Sequence, residues 1–465
     1  MKERARIIHN FTEGPIAKQL VIFSLPFMLA NLLQCMYSIV DMAVVGHYVG
    51  SVGLSAVNVG SQVTYFYTAF AMGLSNGSQV LVSQLVGADD SDGLRRAIGT
   101  SFTAMLVISL PITIGGAVLT HTMVNIMNTP EASVAQAVDY LLICSVGMVF
   151  TYGYNAVCSI LRGLGDSTRP LVFIAIAAAV NLILDLVFVA WLDMGVAGAA
   201  LATVIGQASS FIFAIVYLYR HKESFGFDFR PASFIPDMHK LKILLRIGLP
   251  ATLQMCSISL SMMFINAYVN TYGVVASAVS GIGNKLFNFA NIITVSIRNA
   301  GTGMVGQNIA ADRTDRVKRI VYDCFAICIV FGAFLTALCL IFPRQLFTIF
   351  NKEPEVLAIA PEYLRIYCHA YLAACLMAPS LALIYGVGAA SFNFCVAILD
   401  GVIARIGLSL LLGITLGLGL HGFWWGSAAA GYVTVLIGLI YFLSGKWKNK
   451  RLLVTNTDIT RKEPT

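Results

Sequence analysis

The stretch Pro170 to Trp191 reads PLVFIAIAAAVNLILDLVFVAW, and it decides the class of fold. A helix that crosses a bilayer needs about 20 mostly apolar residues, because backbone groups without hydrogen bonds are too costly in lipid. This stretch has the required length, and its strongly polar side chains are Asn181 and Asp185. It is therefore predicted to span a membrane with both polar side chains inside the bilayer.

The rest of the chain has the same character. Of its 465 residues, 58% are hydrophobic and 11% are charged, whereas an ordinary soluble domain has about 25% charged residues. The predicted spans of the first half are Ile16 to Val45, Val52 to Gly87, Leu94 to Leu119, Val134 to Leu161, Pro170 to Trp191, and Val196 to Tyr219. Those of the second half are Leu241 to Val269, Val274 to Ile309, Val317 to Ile341, Leu357 to Val387, Phe392 to Leu418, and Gly422 to Leu443. The sequence thus predicts an all-α integral membrane protein with twelve transmembrane helices.

Basic residues indicate the orientation of these spans. The net charge of +7 comes from short loops between apolar spans, and the positive-inside rule assigns such loops to the cytoplasm. Arg95, Arg96 and Arg319 belong to inner loops, whereas the outer loops hold little beyond Arg344 and Lys352. Both termini are predicted to be cytoplasmic, and because topology explains the charge, nucleic acid is not an expected partner.

The two halves of the sequence repeat one another at an offset of 223 residues, which aligns Asn76 with Asn299 and Gln84 with Gln307. The same offset aligns Asp89 with Asp312, Arg96 with Arg319, Tyr140 with Tyr363, Gly163 with Gly386, and Gly165 with Gly388. Each half has an even number of spans, so the repeat is parallel. We predict two parallel-repeat six-helix lobes around a central cavity.

The longest polar stretch between spans separates the two halves. The predicted segments are a cytoplasmic N-terminal tail (1–15), an N-lobe (16–219), a cytoplasmic linker (220–240), a C-lobe (241–443) and a cytoplasmic C-terminal tail (444–465). Parallel-repeat bundles are a common design of secondary transporters. The sequence has no phosphate-binding loop, so ATP is not an expected partner. We expect a monomer in the cell membrane, surrounded by membrane lipid.

Ionisable residues inside the spans are the main candidates for a site, because each is costly in lipid. In the N-lobe these are Asp41 and Asp185, with Asn181 one turn before Asp185 on the same face. Asp185 and Thr203 lie equally far from Met194 in the outer loop, and Asp41 is also in the outward half of its span. In such a layer, two neighbouring carboxyl groups would share a proton or hold a hard cation. The alternative is that each carboxylate simply pairs with hydroxyl or backbone groups in helix packing.

Pro26 lies in the interior of the first span. It removes a backbone hydrogen bond and clashes with the preceding turn, so a kink is expected there. The kink is either a point of movement or a static bend that improves packing.

The C-lobe carries a different set of charges, namely Lys285, Arg298, Asp400 and Arg405. Pairing of Asp400 and Arg405 with each other or with neighbouring helices is favoured over a role as ligands. Lys285 or Arg298 could instead contact an anionic part of a solute. Candidates for lining a solute cavity, chosen because they lie in the middle of spans, are Gln34, Tyr37, Tyr65, Met255, Met262, Phe287 and Tyr371.

The stretch from Gly73 to Gly77, GLSNG, matches the short pattern around the serine of some hydrolases. Close packing of helices at these glycines is the favoured interpretation. The alternative, an intramembrane enzyme, predicts that Ser75 is essential. We expect no enzymatic activity, no cofactor and no structural metal.

On these residues, the chain resembles the multidrug and toxic compound extrusion (MATE) family of the MOP flippase superfamily over nearly its full length. Asp41, Asn181, Asp185 and Thr203, together with Pro26, look like the N-lobe cation-coupling residues of its DinF-like branch. The resemblance implies multidrug efflux, in which H⁺ or Na⁺ is exchanged for cationic or amphipathic drug-like solutes through alternating access by two V-shaped lobes.

The chain departs from the NorM-like branch, whose C-lobe uses acidic residues in the seventh and tenth spans. The corresponding stretches here read QMCS at Gln254 to Ser257 and MAPS at Met377 to Ser380. The same superfamily includes lipid-linked oligosaccharide flippases, which are the alternative function.

Overall fold

A computed structural model describes residues 9–127 and 129–448, and within these ranges the regular elements are helices. Most of the two predicted tails, residues 1–8 and 449–465, lies outside the described residues, as does Asn128. The first six long helices, α1 to α6, are Ile16–Tyr48, Gly50–Gly87, Ser91–Val118, Glu131–Gly163, Thr168–Trp191 and Gly195–Arg220. The other six, α7 to α12, are Met238–Asn270, Val274–Ala310, Thr314–Ile341, Pro354–Gly386, Ala390–Thr415 and Gly419–Leu443. The predicted spans agree with these helices to within about one turn at each end, so the prediction of twelve transmembrane helices is confirmed.

The duplication extends to the backbone of the turns that follow the helices. Asp89, after α2, has φ 52°, and Asp312, after α8, has φ 56°. Gly165, after α4, has φ 88°, and Gly388, after α10, has φ 70°. A positive φ at aspartate is uncommon, because an L side chain crowds the backbone there. The two halves therefore share local conformation as well as sequence.

The same tight helix packing occurs in each half. A Cβ atom added at Gly60 of α2 would lie 2.3 Å from the Cδ1 atom of Tyr140 in α4. A Cβ atom added at Gly283 of α8 would lie 2.0 Å from the hydroxyl oxygen of Tyr363 in α10. Both tyrosine side chains are buried. Each half thus needs glycine at this position so that one helix can seat a tyrosine ring of another.

Ten of the twelve helices are apolar enough throughout to qualify as membrane spans by length and composition. The other two are α2 and α8, which occupy equivalent places in the repeat. Both carry rows of polar side chains that lower their hydropathy. The lower hydropathy is therefore a shared property of these two positions.

The chain divides into two compact units. Among the described residues, unit 1 contains His9, 25–127 and 129–252, and unit 2 contains 10–24 and 253–448. Helices α1 and α7 therefore each begin in one unit and end in the other. Pro26 in α1 and Pro250 in α7 lie close to these two crossing points.

The segment that precedes α1 is anchored within unit 2. The Arg316 side chain donates from Nη1 to the carbonyl oxygen of Gly14 at 3.0 Å and from Nη2 to that of Phe11 at 3.0 Å. The Asn308 amide also donates to the carbonyl oxygen of Phe11, at 3.0 Å. These bonds satisfy backbone carbonyl groups of a segment that has no regular structure of its own.

The segment that precedes α7 is anchored in a similar way within unit 1. The Thr103 hydroxyl donates to the carbonyl oxygen of Phe234 at 2.5 Å, and the backbone N–H of Asp237 donates to the Thr100 hydroxyl at 2.9 Å. Both threonines belong to α3. Each unit thus holds the start of the helix that continues into the other unit.

Candidate functional site

Two carboxyl groups meet inside unit 1. Asp41 of α1 is 7% exposed, Asp185 of α5 is 1% exposed, and the two side chains interact directly. Three of their four carboxyl oxygens, Oδ1 of Asp41 and both of Asp185, are buried without a hydrogen-bond partner in the part of the chain that the structure describes. Buried acceptors without donors are costly and uncommon. The pair therefore has unused capacity to bind a proton or a cation.

Polar side chains extend from this pair along α5 and α6. Asn181 is 4% exposed, and its amide nitrogen is buried without a hydrogen-bond partner among the described residues. Asn181 and Thr203 line a cavity of about 10 Å³ together with Tyr37 and Gln207. This volume is close to what one water molecule needs. The structure thus pairs Asp41 with Asp185, and it places Asn181, one turn before Asp185, in a cavity with Thr203.

Small residues allow α5 and α6 to approach one another at this level. A Cβ atom added at Gly206 would lie 3.0 Å from the carbonyl oxygen of Ala177 and 3.2 Å from the Cβ atom of Asn181. Further along α6, the Ser210 hydroxyl donates to the carbonyl oxygen of Phe173 at 3.0 Å. Small and hydroxyl side chains allow this kind of close contact in membrane helices. Gly206 therefore sets how near Thr203 and Gln207 come to Asn181.

The backbone changes geometry directly after Asp185. Residues Leu186–Trp191 form a π-helical segment, and the N–H of Leu192 donates to the carbonyl oxygen of Val187 at 2.9 Å. Such segments occur frequently at functional sites, although α11 of unit 2 contains two others, Leu399–Ala404 and Leu411–Thr415. Asp185 is thus the last residue of regular α-helix before the irregular part of α5.

Sequence reasoning missed Gly206 and Gln207, which line the small cavity. It assigned Tyr37 to a solute cavity, whereas the Tyr37 side chain lies close to Asp41 and to the amides of Gln34 and Gln207. Gln207 could have been predicted from the sequence, because it lies one turn after Thr203 on the same face of α6. The π-helical segment had no comparable signal in the sequence.

In unit 2, the structure pairs Asp400 with Arg405. Arg405 Nη2 lies 2.9 Å from Oδ1 of Asp400, and the Thr434 hydroxyl donates to Oδ2 of Asp400 at 2.7 Å. The Asp400 side chain is 0% exposed and that of Arg405 is 12% exposed. Both oxygens of this carboxylate are therefore satisfied, in contrast to those of Asp185.

The other two C-lobe cations lie on α8 in different surroundings. The Lys285 ammonium group is above the ring of Phe350, 5.8 Å from its centroid, and the side chain is exposed. Arg298 is partly buried, and its Nε atom has no hydrogen-bond partner among the described residues.

The residues proposed to line a solute cavity are divided between the two units. Gln34, Tyr37 and Tyr65 belong to unit 1, where Tyr65 is 54% exposed. In unit 2, Phe287 stacks on the buried ring of Tyr371 with centroids 5.8 Å apart, and Met262 contacts Arg405 through its sulfur atom. The remaining candidate, Met255, is partly buried in unit 2.

The glycines around Ser75 lie where α2 packs on α7 within unit 1. A Cβ atom added at Gly73 would lie 2.6 Å from the backbone nitrogen of Thr252, and one added at Gly77 would lie 2.4 Å from the carbonyl oxygen of Leu244. The Ser75 hydroxyl donates to the carbonyl oxygen of Asn155 at 3.2 Å. These contacts agree with the close-packing interpretation of the GLSNG stretch.

Comparison with known proteins connects this arrangement to one family. The MatE family model matches residues 26–187 and 250–411, one match in each half. The probable multidrug resistance protein YpnP of Bacillus subtilis is 33% identical over 362 residues, covering 77% of this chain and 79% of the relative. The multidrug export protein MepA of Staphylococcus haemolyticus is 24% identical over 77% of this chain and 78% of its own length.

Solved structures with the same fold cover nearly the whole chain. A crystal structure of MATE in the bent conformation superimposes with a TM-score of 0.88 at 22% identity, over 97% of this chain and 99% of that one. A MOP superfamily transporter from Pyrococcus furiosus Vc1 superimposes with a TM-score of 0.87 at the same identity and coverage. The predicted family is therefore confirmed, and the chain belongs to the MatE family of membrane transporters.

Proposed function

We propose that this protein exports amphipathic, drug-like organic solutes across the cell membrane in exchange for an inward flow of H⁺ or Na⁺. The observation that carries the proposal is the pair Asp41 and Asp185, whose carboxyl oxygens are buried and, among the described residues, largely without hydrogen-bond partners. The names of the curated relatives, which are multidrug resistance and multidrug export proteins, support the choice of cargo.

In this proposal, the carboxyl pair binds the ion. Two adjacent carboxylates repel each other in a medium of low dielectric constant, so the pair is stabilised by one shared proton or by a bound cation. The oxygens of Asn181 and Thr203 would complete the ligand set for Na⁺, which favours oxygen ligands as other hard cations do. Release of the ion leaves the negative charge of the pair uncompensated. The difference in free energy between the ion-bound and the ion-free pair is the source of coupling.

Coupling requires that the ion and the solute prefer different conformations of the protein. To shift a conformational equilibrium from 1:99 to 99:1, a ligand must bind one state about 10⁴-fold more tightly than the other, which is about 5.5 kcal/mol. Repulsion between two unit charges about 4 Å apart is about 4 kcal/mol at an effective dielectric constant of about 20, so it can supply much of this difference when the ion leaves. We propose that bending of α1 near Pro26, where one backbone hydrogen bond is missing, accompanies the change.

The experiment that tests this proposal is transport by purified protein in proteoliposomes. Extrusion of a fluorescent amphipathic dye is measured under a Na⁺ gradient alone, under an H⁺ gradient alone, and without a gradient. In the wild type, one gradient drives extrusion above the rate without a gradient. Asp41→Asn and Asp185→Asn are each expected to abolish this stimulation, because one permanent neutral amide removes the charge that the ion compensates.

Asp323→Asn serves as the matched control. Asp323 is also a carboxylate on a long helix, but it pairs with Arg319 at 3.0 Å far along the chain from the Asp41 and Asp185 pair. This control is expected to keep normal stimulation. Unchanged stimulation in both the Asp41 and Asp185 variants would exclude this pair as the coupling site.

The proposal keeps both termini in the cytoplasm and treats the protein as a monomer that needs no cofactor. A lipid-linked oligosaccharide flippase would instead move lipid-linked sugar and leave dye in place, so the same assay separates the two functions. No feature of the carboxyl pair favours a sugar or lipid cargo.

A further inference from the structure

Helix α8 carries a row of polar side chains on one partly exposed face. Asn284, Asn288, Asn291 and Arg298 follow at intervals of four, three and seven residues, which place them on the same side of a helix. Asn288 is exposed, and the other three are partly buried. The Asn291 side-chain oxygen accepts a hydrogen bond from the Thr294 hydroxyl at 2.9 Å. The face is thus polar over three to four turns.

A polar face of this length is unfavourable against lipid. Amide and guanidinium groups inside a membrane are expensive unless they face water or a polar partner, and ionisable residues there nearly always face the interior of a bundle or a water-filled cavity. We therefore expect this face of α8 to be in contact with water and with the transported solute. The polar side chains of this face also explain why α8 has a lower hydropathy than most of the other helices.

The face is positively charged, and this property is not shared by the equivalent helix. The residue of α2 that corresponds to Arg298 is Ser75, whose hydroxyl bonds to a backbone carbonyl group. Among the residues described, Arg298 forms no ion pair with a carboxylate. Asp400, a fully buried acid inside the spans of unit 2, is already paired with Arg405.

One hydrogen-bond donor of the Arg298 guanidinium group is unused among the described residues. Its Nε atom is buried and has no partner among the described residues. The neighbouring Tyr385 uses its hydroxyl to donate to Oε1 of Gln254 at 2.5 Å and so offers Arg298 no negative charge. A guanidinium group presents a planar fork of donors that matches a carboxylate or phosphate. The unused donor of Arg298 is therefore suited to an anionic group.

We propose that Arg298 binds a carboxylate group on the transported solute, so that the preferred cargo is an amphipathic organic acid or zwitterion and not a simple organic cation. The proposal rests on the proposed export function. The asparagine amides along the same face would bind further polar groups of the solute, while its apolar part lies against the neighbouring side chains of α8.

The test compares two dyes that differ by a single group, a zwitterionic rhodamine with a free carboxylate and its cationic methyl ester. Equilibrium binding of each dye to the purified full-length protein is measured by fluorescence polarisation, with no ion gradient. The wild type is expected to bind the acid more tightly than the ester. Arg298→Gln is expected to weaken binding of the acid about tenfold, which is the usual effect of losing one charged hydrogen bond, and to leave binding of the ester within about twofold.

Two further variants keep the result interpretable. Arg298→Lys keeps the charge but loses the fork of donors, so it should retain part of the preference for the acid. Lys285→Gln removes one positive charge from the same helix away from the polar face, and it should keep the preference of the wild type.

Equal binding of acid and ester by the wild type, no binding of either dye, or an equal loss for both dyes in Arg298→Gln would overturn the assignment. These outcomes are independent of the proposed function, which would fail instead if dye extrusion in proteoliposomes did not respond to either ion gradient.

Discussion

The buried pair of Asp400 and Arg405 gives a prediction that separates a structural role from a functional one. Asp400 is fully buried and accepts two hydrogen bonds, from Arg405 at 2.9 Å and from Thr434 at 2.7 Å. If Arg405 is changed to Met, the buried carboxylate loses the one ion-pair partner that it has among the described residues. Breaking a buried ion pair on one side costs about 3–5 kcal/mol, and we expect the lower end because Thr434 still donates.

That cost corresponds to a clear shift in thermal stability. For a folding unit of this size, about 1 kcal/mol lowers the melting temperature by roughly 2–4 °C, so Arg405→Met should lower it by about 6–12 °C. The double variant Asp400→Leu with Arg405→Met has no buried charge left and should recover most of the loss, since apolar residues of similar volume replace such pairs well. Melting is followed by fluorescence-detected size exclusion after heating.

The matched control is the Arg319 and Asp323 pair, in which the Arg319 side chain is 70% exposed and that of Asp323 is 12% exposed. Because the guanidinium group of this pair is exposed, the pair contributes about 1 kcal/mol, so Arg319→Met should shift the melting temperature by only a few degrees. If the double variant is no more stable than Arg405→Met, the structural account of this pair is wrong. If transport is lost while the melting temperature is unchanged, Asp400 has a functional role that the structural account does not include.

Two further predictions concern packing and pH. Gly283→Ala should lower the free energy of unfolding by about 1–3 kcal/mol through overpacking, because the added methyl group meets the buried Tyr363 ring. Gly281 has open space around it, so Gly281→Ala should be neutral in the same thermal assay. Asp166, in the loop between α4 and α5, is 1% exposed, and burial raises the pKa of its carboxyl group although Arg169 lies 3.1 Å away. A raised pKa means that the folded state binds the proton more tightly, so this contribution to stability is present at low pH and is lost as the pH rises through the raised value. The melting temperature of the wild type should therefore fall relative to Asp166→Asn as the pH rises through that window, and a constant difference would contradict the assignment.

The helices were predictable from sequence because the length of an apolar stretch is tied to bilayer thickness. Even α2 and α8, the least apolar of the twelve helices, were found, since their glycine-rich stretches are long and the repeat relates one to the other. The common depth of Asp185 and Thr203, obtained by counting from Met194, stays a prediction. In the structure, Thr203 lines a cavity with Asn181, which lies one turn before Asp185.

The side of a helix on which a given residue lies was much harder to predict. Tyr371 was chosen for its position in the middle of a span, but its ring is in the core of unit 2, stacked on Phe287. Most aromatic residues of a helical bundle pack against other helices, and hydropathy alone does not distinguish these from cavity residues. The π-helical segment after Asp185 depends on tertiary contacts and leaves no pattern in a single sequence.

Helices α1 and α7 each begin in one unit and end in the other, and this division has a consequence for the evolution of the protein. Unit 1 holds the start of α7 against Gly73, Gly77 and α3, and unit 2 holds the segment before α1 through Asn308 and Arg316. A half-length ancestor with six helices would have had no second half to receive its first segment. Two copies could have received it from one another, as in a domain-swapped homodimer, where identical elements are exchanged between protomers. Gene fusion would then have joined an existing pair of partners, and cutting the present chain in the linker should yield halves that are stable only when they are produced together.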